Sequence, residues 1–302
     1  MTARPPLGVW LAALLLALAA LAALALAGPW LQRSAIKQRL VHDDYNFARL
    51  QADPEGRPRV VALGASKLFY AVEYDGALAR NYTPDLLPLD FIRLTWLDAR
   101  PADLAPAFDA LKTAPPTLLL LEADLLQFDR DSRLPIRDNL RALFDRLFPA
   151  AAAFDESGRL IDDNHAGNRG QDGFKAGQYC ADARSPEGER VWVAAANRWR
   201  VLSAERQAAY EAALQALRAA GTEIVLLRLP RSPSADAAFP EPLGANAEAS
   251  LDAFASRLQL PQWAPPPLAD DLYCDQGHVN RAGRAVYSAW LASQLQQWLM
   301  AR

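Results

Sequence analysis

The chain opens on an apolar run. From Leu7 to Ala27 it carries no charged side chain, a stretch long enough to cross a hydrocarbon core as a helix. Ala25-Leu-Ala27 before Gly28 also satisfies the small-residue rule for signal-peptide cleavage, but the run exceeds the usual signal core, so an uncleaved anchor over residues 1–28 is expected. Behind it, Trp30, Leu31, Ile36, Leu40 and Val41 recur at mostly helical spacing, predicting a stalk and linker over residues 29–57 that ends in the turn Asp53-Pro-Glu-Gly-Arg-Pro58. His42 falls in this stalk as a solvated residue.

From Arg59 the pattern changes. Val60–Leu63, Leu89–Leu94, Thr117–Glu122 and Glu223–Arg228 are short apolar runs of the kind that form strands buried on both faces of a parallel sheet. Helical periods lie between and after them, over residues 102–112, Pro135–Phe148, two segments within 190–220 (the second opened by Ser203), Asn246–Leu258, and a last segment after Asn280 whose stripe is Ala285, Trp290, Leu291, Leu295 and Leu299. This alternation predicts an α/β domain over residues 58–302, a doubly wound parallel sheet between two helical layers. From Ala150 to Arg190 no period holds. Asp162-Asp-Asn-His-Ala-Gly-Asn-Arg-Gly-Gln-Asp-Gly173 is expected to be a solvated loop, with His165 a distant second to the histidine discussed below.

Composition narrows the partners. A chain of 302 residues, 51% hydrophobic, can bury one large core beside an anchor. Its 32 basic and 35 acidic side chains nearly cancel and the pI is near 5.7, which gives no reason to expect nucleic acid. The two cysteines, Cys180 and Cys274, and three histidines show no metal-ligand spacing, and no Gly-rich phosphate loop is present, so neither metal nor cofactor is expected. In an oxidising compartment Cys180 and Cys274 can pair; otherwise they are two separate buried thiols.

The chemistry lies in two distant stretches. Asp271-Leu-Tyr-Cys-Asp-Gln-Gly-His-Val-Asn-Arg-Ala-Gly283 places Asp275 three residues before His278, a spacing that lets a carboxylate hold an imidazole while its outer nitrogen takes a proton. The nucleophile this pair needs is found in Arg59-Val-Val-Ala-Leu-Gly-Ala-Ser66, where an apolar run ends in Gly-x-Ser. Taken alone, Ser66 reads as a helix cap and His278 as a core histidine. Together they read as a site. Asn280 is expected to cap the final helix.

Gly64-Ala-Ser66 and Asp275-x-x-His278-x-Asn280-x-x-Gly283 resemble the first and last blocks of the SGNH (GDSL-like) hydrolases. Leu63-Gly-Ala-Ser-Lys-Leu-Phe-Tyr-Ala-Val72 is further similar to membrane-anchored bacterial members of that group, the polysaccharide O-acetyltransferases and D-alanine transfer proteins. The resemblance implies a Ser66–His278–Asp275 triad supported by Gly64, Thr95 and Asn280. It also implies an inner-membrane protein with its body in the periplasm, a carbohydrate substrate and a membrane acyl-exporting partner. Two features depart from this. Arg33, Lys37 and Arg39 after the apolar run outnumber Arg4 before it, which by charge places the body on the cytoplasmic side. The family's oxyanion glycine and asparagine are replaced by Leu94-Thr-Trp-Leu-Asp98 and Leu121-Glu-Ala-Asp-Leu125, where Glu122 and Asp124, which would repel a developing negative charge, are expected to face elsewhere or to contact a substrate hydroxyl.

The function expected is therefore acyl transfer from an ester of a cell-envelope polysaccharide, to water or to a sugar hydroxyl. The alternative is a non-catalytic envelope module that keeps only the fold.

Overall fold

The computed structural model describes residues 6–23, 44–73, 77–82, 89–95, 104–130, 186–196, 199–229, 231–239 and 241–302. The predicted helix over Pro135–Phe148, the Asp162–Gly173 loop, His42, His165 and Cys180 lie outside these residues.

Strand β1 (Arg59–Gly64) is apolar from Val60 to Leu63 and buried along its whole length, the condition for a strand at the centre of a parallel sheet. It pairs in parallel with β2 (Asp90–Thr95) on one side and β3 (Leu118–Glu122) on the other. β6 (Glu223–Leu227) and a short β7 (Gln262–Trp263) extend the sheet to the order β2-β1-β3-β6-β7. The chain thus leaves β1 for one neighbour and returns to the other, so the carboxyl ends of β1 and β3 flank the point where an open α/β sheet leaves a crevice.

Alternation along the strands feeds two cores. Val60, Ala62, Leu118, Leu120, Val225 and Leu227 pack in one cluster with Leu68 of α3 (Ser66–Ala71), Leu78 of α4 (Ala77–Tyr82), and Tyr287, Leu291, Leu295 and Trp298 of the final helix α11 (Arg281–Met300). Each large apolar side chain so buried contributes roughly 1.5–3 kcal/mol against exposure. The buried stripe on α11 is Tyr287, Leu291, Leu295 and Trp298, while Trp290 and Leu299, expected in it, are only partly covered. The other strand face carries Val61, Leu63, Leu119, Leu121 and Leu226, also buried. On that side Phe108 of α5 (Ala105–Thr113) meets Tyr210 of α8 (Ala204–Ala219) edge-on at 5.7 Å. Ser203 caps α8, accepting the Arg206 N–H at 3.4 Å. Helices thus cover both faces of a parallel sheet, the α/β architecture the strand pattern predicts.

α2 (Asp44–Gln51), assigned by sequence to the stalk, packs on this body instead. Arg59 donates to Asp90 at 2.8 Å and to the carbonyls of Leu50 and Ala52 at 2.6 and 2.7 Å, and Arg49 also pairs with Asp90. Leu50 is fully buried, so the body begins before residue 58.

After β3 come a one-turn helix α6 (Asp124–Gln127) and β4 (Phe128–Arg130), which pairs antiparallel with β5 (Trp199–Val201). β5 stands where the sequence pattern gave helix after α7 (Pro186–Ala196). Phe128, Trp192, Trp199 and Phe239 form a second small core that includes α9 (Pro233–Ala238) and α10 (Glu241–Leu258) as neighbouring elements. The tryptophans are therefore packing residues.

The apolar run begins as a helix, α1, over residues 7–23, with Leu7, Trp10, Leu15 and Leu16 exposed. Among the described residues no helix is long and apolar enough to cross a membrane. α1 is described only to residue 23, short of the roughly 20 apolar residues a span requires, and the rest of the apolar run, residues 24–27, lies outside the described residues.

Candidate active site

β1 ends at Gly64 and the chain turns at once into α3, so Ser66 stands as the first residue of that helix at the carboxyl edge of the sheet. The turn is tight. A Cβ at Gly64 would lie 2.5 Å from Glu122 Oε2 and 2.7 Å from Leu68 Cβ, distances no real Cβ adopts, so only glycine fits. Ala65 holds the N-cap position of α3 without a side-chain cap, and Ser66 is not spent on capping. Its hydroxyl is left for other chemistry.

The second half of the site comes from the turn before α11. Tyr273 and Val279 form an isolated antiparallel bridge, closed by Cys274 N–H to the His278 carbonyl at 2.7 Å and Asn280 N–H to the Leu272 carbonyl at 2.8 Å. Asn280 caps α11 through the Gly283 N–H at 3.0 Å and donates its amide to the Asp271 carbonyl at 2.6 Å. A Cβ at Gly283 would sit 2.2 Å from the Leu272 carbonyl oxygen, which shows how closely the helix abuts the turn. Asn280 is thus committed to holding the turn and is no oxyanion donor.

Folding brings the two halves together. His278 Nε2 lies 2.8 Å from Ser66 Oγ across 212 residues of sequence, and His278 Nδ1 lies 2.9 and 2.8 Å from the two oxygens of Asp275. Asp275 Oδ1 also accepts the N–H groups of Gly277 and His278, each at 2.8 Å. Burial pushes the Asp275 carboxyl up, but the hydrogen bond and charge of His278 and these two N–H groups outweigh it and hold the group below its ordinary range. A carboxylate kept ionised beside Nδ1 fixes the tautomer that leaves Nε2 facing the serine. The Tyr70 ring packs edge-on against the imidazole at 4.9 Å, and the histidine side chain remains 26% exposed, open to a substrate.

The charged residues after β3 take positions that motif reading did not assign. Asp124 accepts from Lys67 Nζ at 2.6 Å and lies 3.8 Å from Arg231, which also pairs with Asp236 at 2.8 Å and stacks over Phe239 at 4.4 Å. Arg228 pairs with Glu248, Asp252 and Gln262. Glu122 is 2% exposed and reaches under the nucleophile turn, where Oε2 accepts the Ala65 N–H at 2.6 Å and the Leu68 N–H at 3.4 Å. Its signal in the sequence was a lone carboxylate closing an otherwise apolar strand. Thr95 ends β2 in register with Gly64, 2% exposed. Among the described residues the N–H groups of Ser66 and Lys67 have no hydrogen-bond partner, and no cluster of His, Cys, Asp or Glu is arranged to hold a metal.

Cys274, next to Asp275, is disulfide-bonded. The chain's other cysteine is Cys180, which lies outside the described residues.

No family model and no curated protein matches the sequence. Solved structures similar to the chain include a GDSL-like lipase from Bacteroides thetaiotaomicron, at 11% identity and TM-score 0.40, with 87% of this chain and 97% of that one covered. They also include the lipase/acylhydrolase from Enterococcus faecalis, at 9% and 0.38 with 80% and 96% covered. A third is the inhibitor-bound aryl esterase of M. smegmatis, at 10% and 0.37 with 80% and 99% covered. At these scores the likeness is partial, and the functional reading rests on the chain's own geometry.

Proposed function

We propose that this protein is a serine acyltransferase or esterase with Ser66 as nucleophile, His278 as general base and then acid, and Asp275 as the residue that orients the imidazole. The observation that carries the reading is the continuous chain of hydrogen bonds from Ser66 Oγ through His278 to Asp275, assembled from the first and last elements of the sheet body.

The reaction runs in two halves. His278 Nε2 takes the Ser66 proton as Oγ attacks the ester carbonyl carbon, and the same proton then passes to the departing alkoxide as the carbon–oxygen bond breaks. In the second half His278 deprotonates the acceptor hydroxyl, which attacks the acyl-serine and releases Ser66 with its proton restored. The negative charge on the carbonyl oxygen in each half needs donors, and we assign that role to the N–H groups of Ser66 and Lys67, which have no partner among the described residues. With water as acceptor the protein is an esterase; with a sugar hydroxyl it is an O-acyltransferase.

We assign the acyl ester to a cell-envelope polysaccharide, with the body outside the cytoplasm and the N-terminal apolar run in the membrane. Two observations support this placement. The exposed side chains of α1 are apolar, and a disulfide at Cys274 belongs to an oxidising compartment. A membrane protein that exports acyl groups is the partner such a reaction needs. Protease treatment of intact spheroplasts tests the placement: the body is digested if it is periplasmic and protected if it faces the cytoplasm.

The chemistry is tested with a fluorophosphonate probe on the full-length protein. Labelling that maps to Ser66 and vanishes in Ser66→Ala is the expected result. Folded protein that takes no label overturns it and leaves a binding module.

A further inference from the structure

We infer that Glu122 is a positioning residue for the nucleophile: its carboxyl, sealed beneath the turn, holds the backbone N–H groups of Ala65 and Leu68 and so sets the direction in which the Ser66 hydroxyl leaves the chain. This rests on the acyl-transfer reading above and adds to it the group that holds the serine in place.

α3 is six residues long, too short to be stable by its own hydrogen bonds. It is held from outside at both ends. At its carboxyl end Arg93 donates to the carbonyls of Phe69, at 3.0 Å, and Val72, while Arg284 donates to those of Tyr70 and Phe69 at 3.0 and 3.3 Å. Ser288 Oγ donates to the Ala71 carbonyl at 3.3 Å. At its amino end the only side chain bonded to its first-turn N–H groups, among the described residues, is Glu122. Cations thus meet the carbonyl end and an acid the N–H end, the arrangement a helix dipole favours. Ser66 and Lys67 lie between the two N–H groups that Glu122 binds, so any shift of that carboxyl moves Ser66 relative to His278. Gly64 completes the fit, since its missing side chain is the space that Glu122 Oε2 occupies.

The acid is also able to change state where the protein works. Burial, then the charge of Asp124, push Glu122 up to about 7 against the opposing pull of the Ala65 N–H, Lys67 and the Leu68 N–H. The titratable groups facing it are Asp124 on α6, Lys67 on α3 and Tyr287 on α11, whose hydroxyl is pushed up by burial and then by Glu122 itself. As a carboxylate, Glu122 accepts both N–H groups strongly; protonated, it accepts them weakly. Ser66 reactivity therefore rises with pH as Glu122 ionises and tightens its hold on the two N–H groups.

The test measures the rate of fluorophosphonate labelling of full-length protein across pH for the wild type, Ser66→Ala, Glu122→Gln and Glu122→Ala, with thermal melts run alongside. Glu122→Gln keeps a carbonyl acceptor, so it is expected to label within about tenfold of wild type at neutral pH, with an acid limb one proton less steep. Glu122→Ala, melting cooperatively, is expected to label on the order of 100-fold more slowly, as a small misplacement of a reacting group requires. A folded Glu122→Ala that labels at the wild-type rate overturns the inference. So does a Glu122→Gln acid limb as steep as the wild type's, and this variant keeps its fold whatever becomes of the alanine. A wild type whose label does not depend on Ser66 sinks the acyl-transfer reading instead, and the two failures are told apart by the Ser66→Ala control.

Discussion

Opposite demands are placed on two buried carboxylates within one site. Asp275, drawn below its ordinary value of 3.8 by His278 and two N–H groups, adds stability above that value, and this stability is lost as pH falls through its lowered folded value. Glu122 behaves the other way. With a folded value near 7 against 4.5, its contribution to stability is whole below 4.5 and lost as pH rises through 7. Glu122→Gln should therefore melt increasingly above wild type as pH is raised from 5 to 8 in a calorimetric series, and a gap that narrows contradicts the assignment. Asp275→Asn should leave the fold intact and lower turnover of an acetyl ester by roughly 10³–10⁴ through the wrong imidazole tautomer. A loss of only a few-fold in steady-state assays would mean that His278 needs no carboxylate to orient it.

Elements differed in how plainly the sequence announced them. The parallel strands were legible because continuous apolar runs ending at Gly64 and Glu122 admit few other states, and the spacing of Asp275 and His278 survives folding because it lies within one turn. β5 was not legible. Trp199–Val201 is three residues long and owes its extended form to pairing with β4, a partner distant in sequence. α2 was misplaced for a similar reason, since what joins it to the body is Arg59 and Asp90, charges that hydrophobic periodicity ignores. In the sequence Glu122 reads as a threat to an oxyanion or a contact for a substrate hydroxyl, because no motif reports that a side chain has turned under a backbone. The turn before α11 makes its own prediction. Asn280→Ala should cost about 1 kcal/mol in chemical denaturation from the lost cap. It should also slow labelling of Ser66, because the same side chain ties the histidine turn to Asp271. Lost stability with unchanged labelling would make Asn280 a cap and nothing more.

At the scale of the whole molecule, a disulfide ends beside the chemistry. Cys274 adjoins Asp275, so reduction should lower the melting temperature and, if the staple also steadies the turn, the labelling rate with it. Cys274→Ser reproduces the effect without reductant, and melts unchanged by either treatment would show that the bond bears no load. Such bonds form in oxidising compartments, the ground on which the body is proposed to lie outside the cytoplasm.

Ser66 lies just past the end of β1, whereas His278 sits in the turn that abuts α11, the 20-residue helix that covers one face of the sheet. A polypeptide lacking α11 keeps both residues but leaves the histidine turn without the helix it abuts and one apolar face of the sheet uncovered. A truncation within α11 is therefore expected to give an aggregation-prone product in which His278 has lost its support, read out as insoluble protein in expression trials.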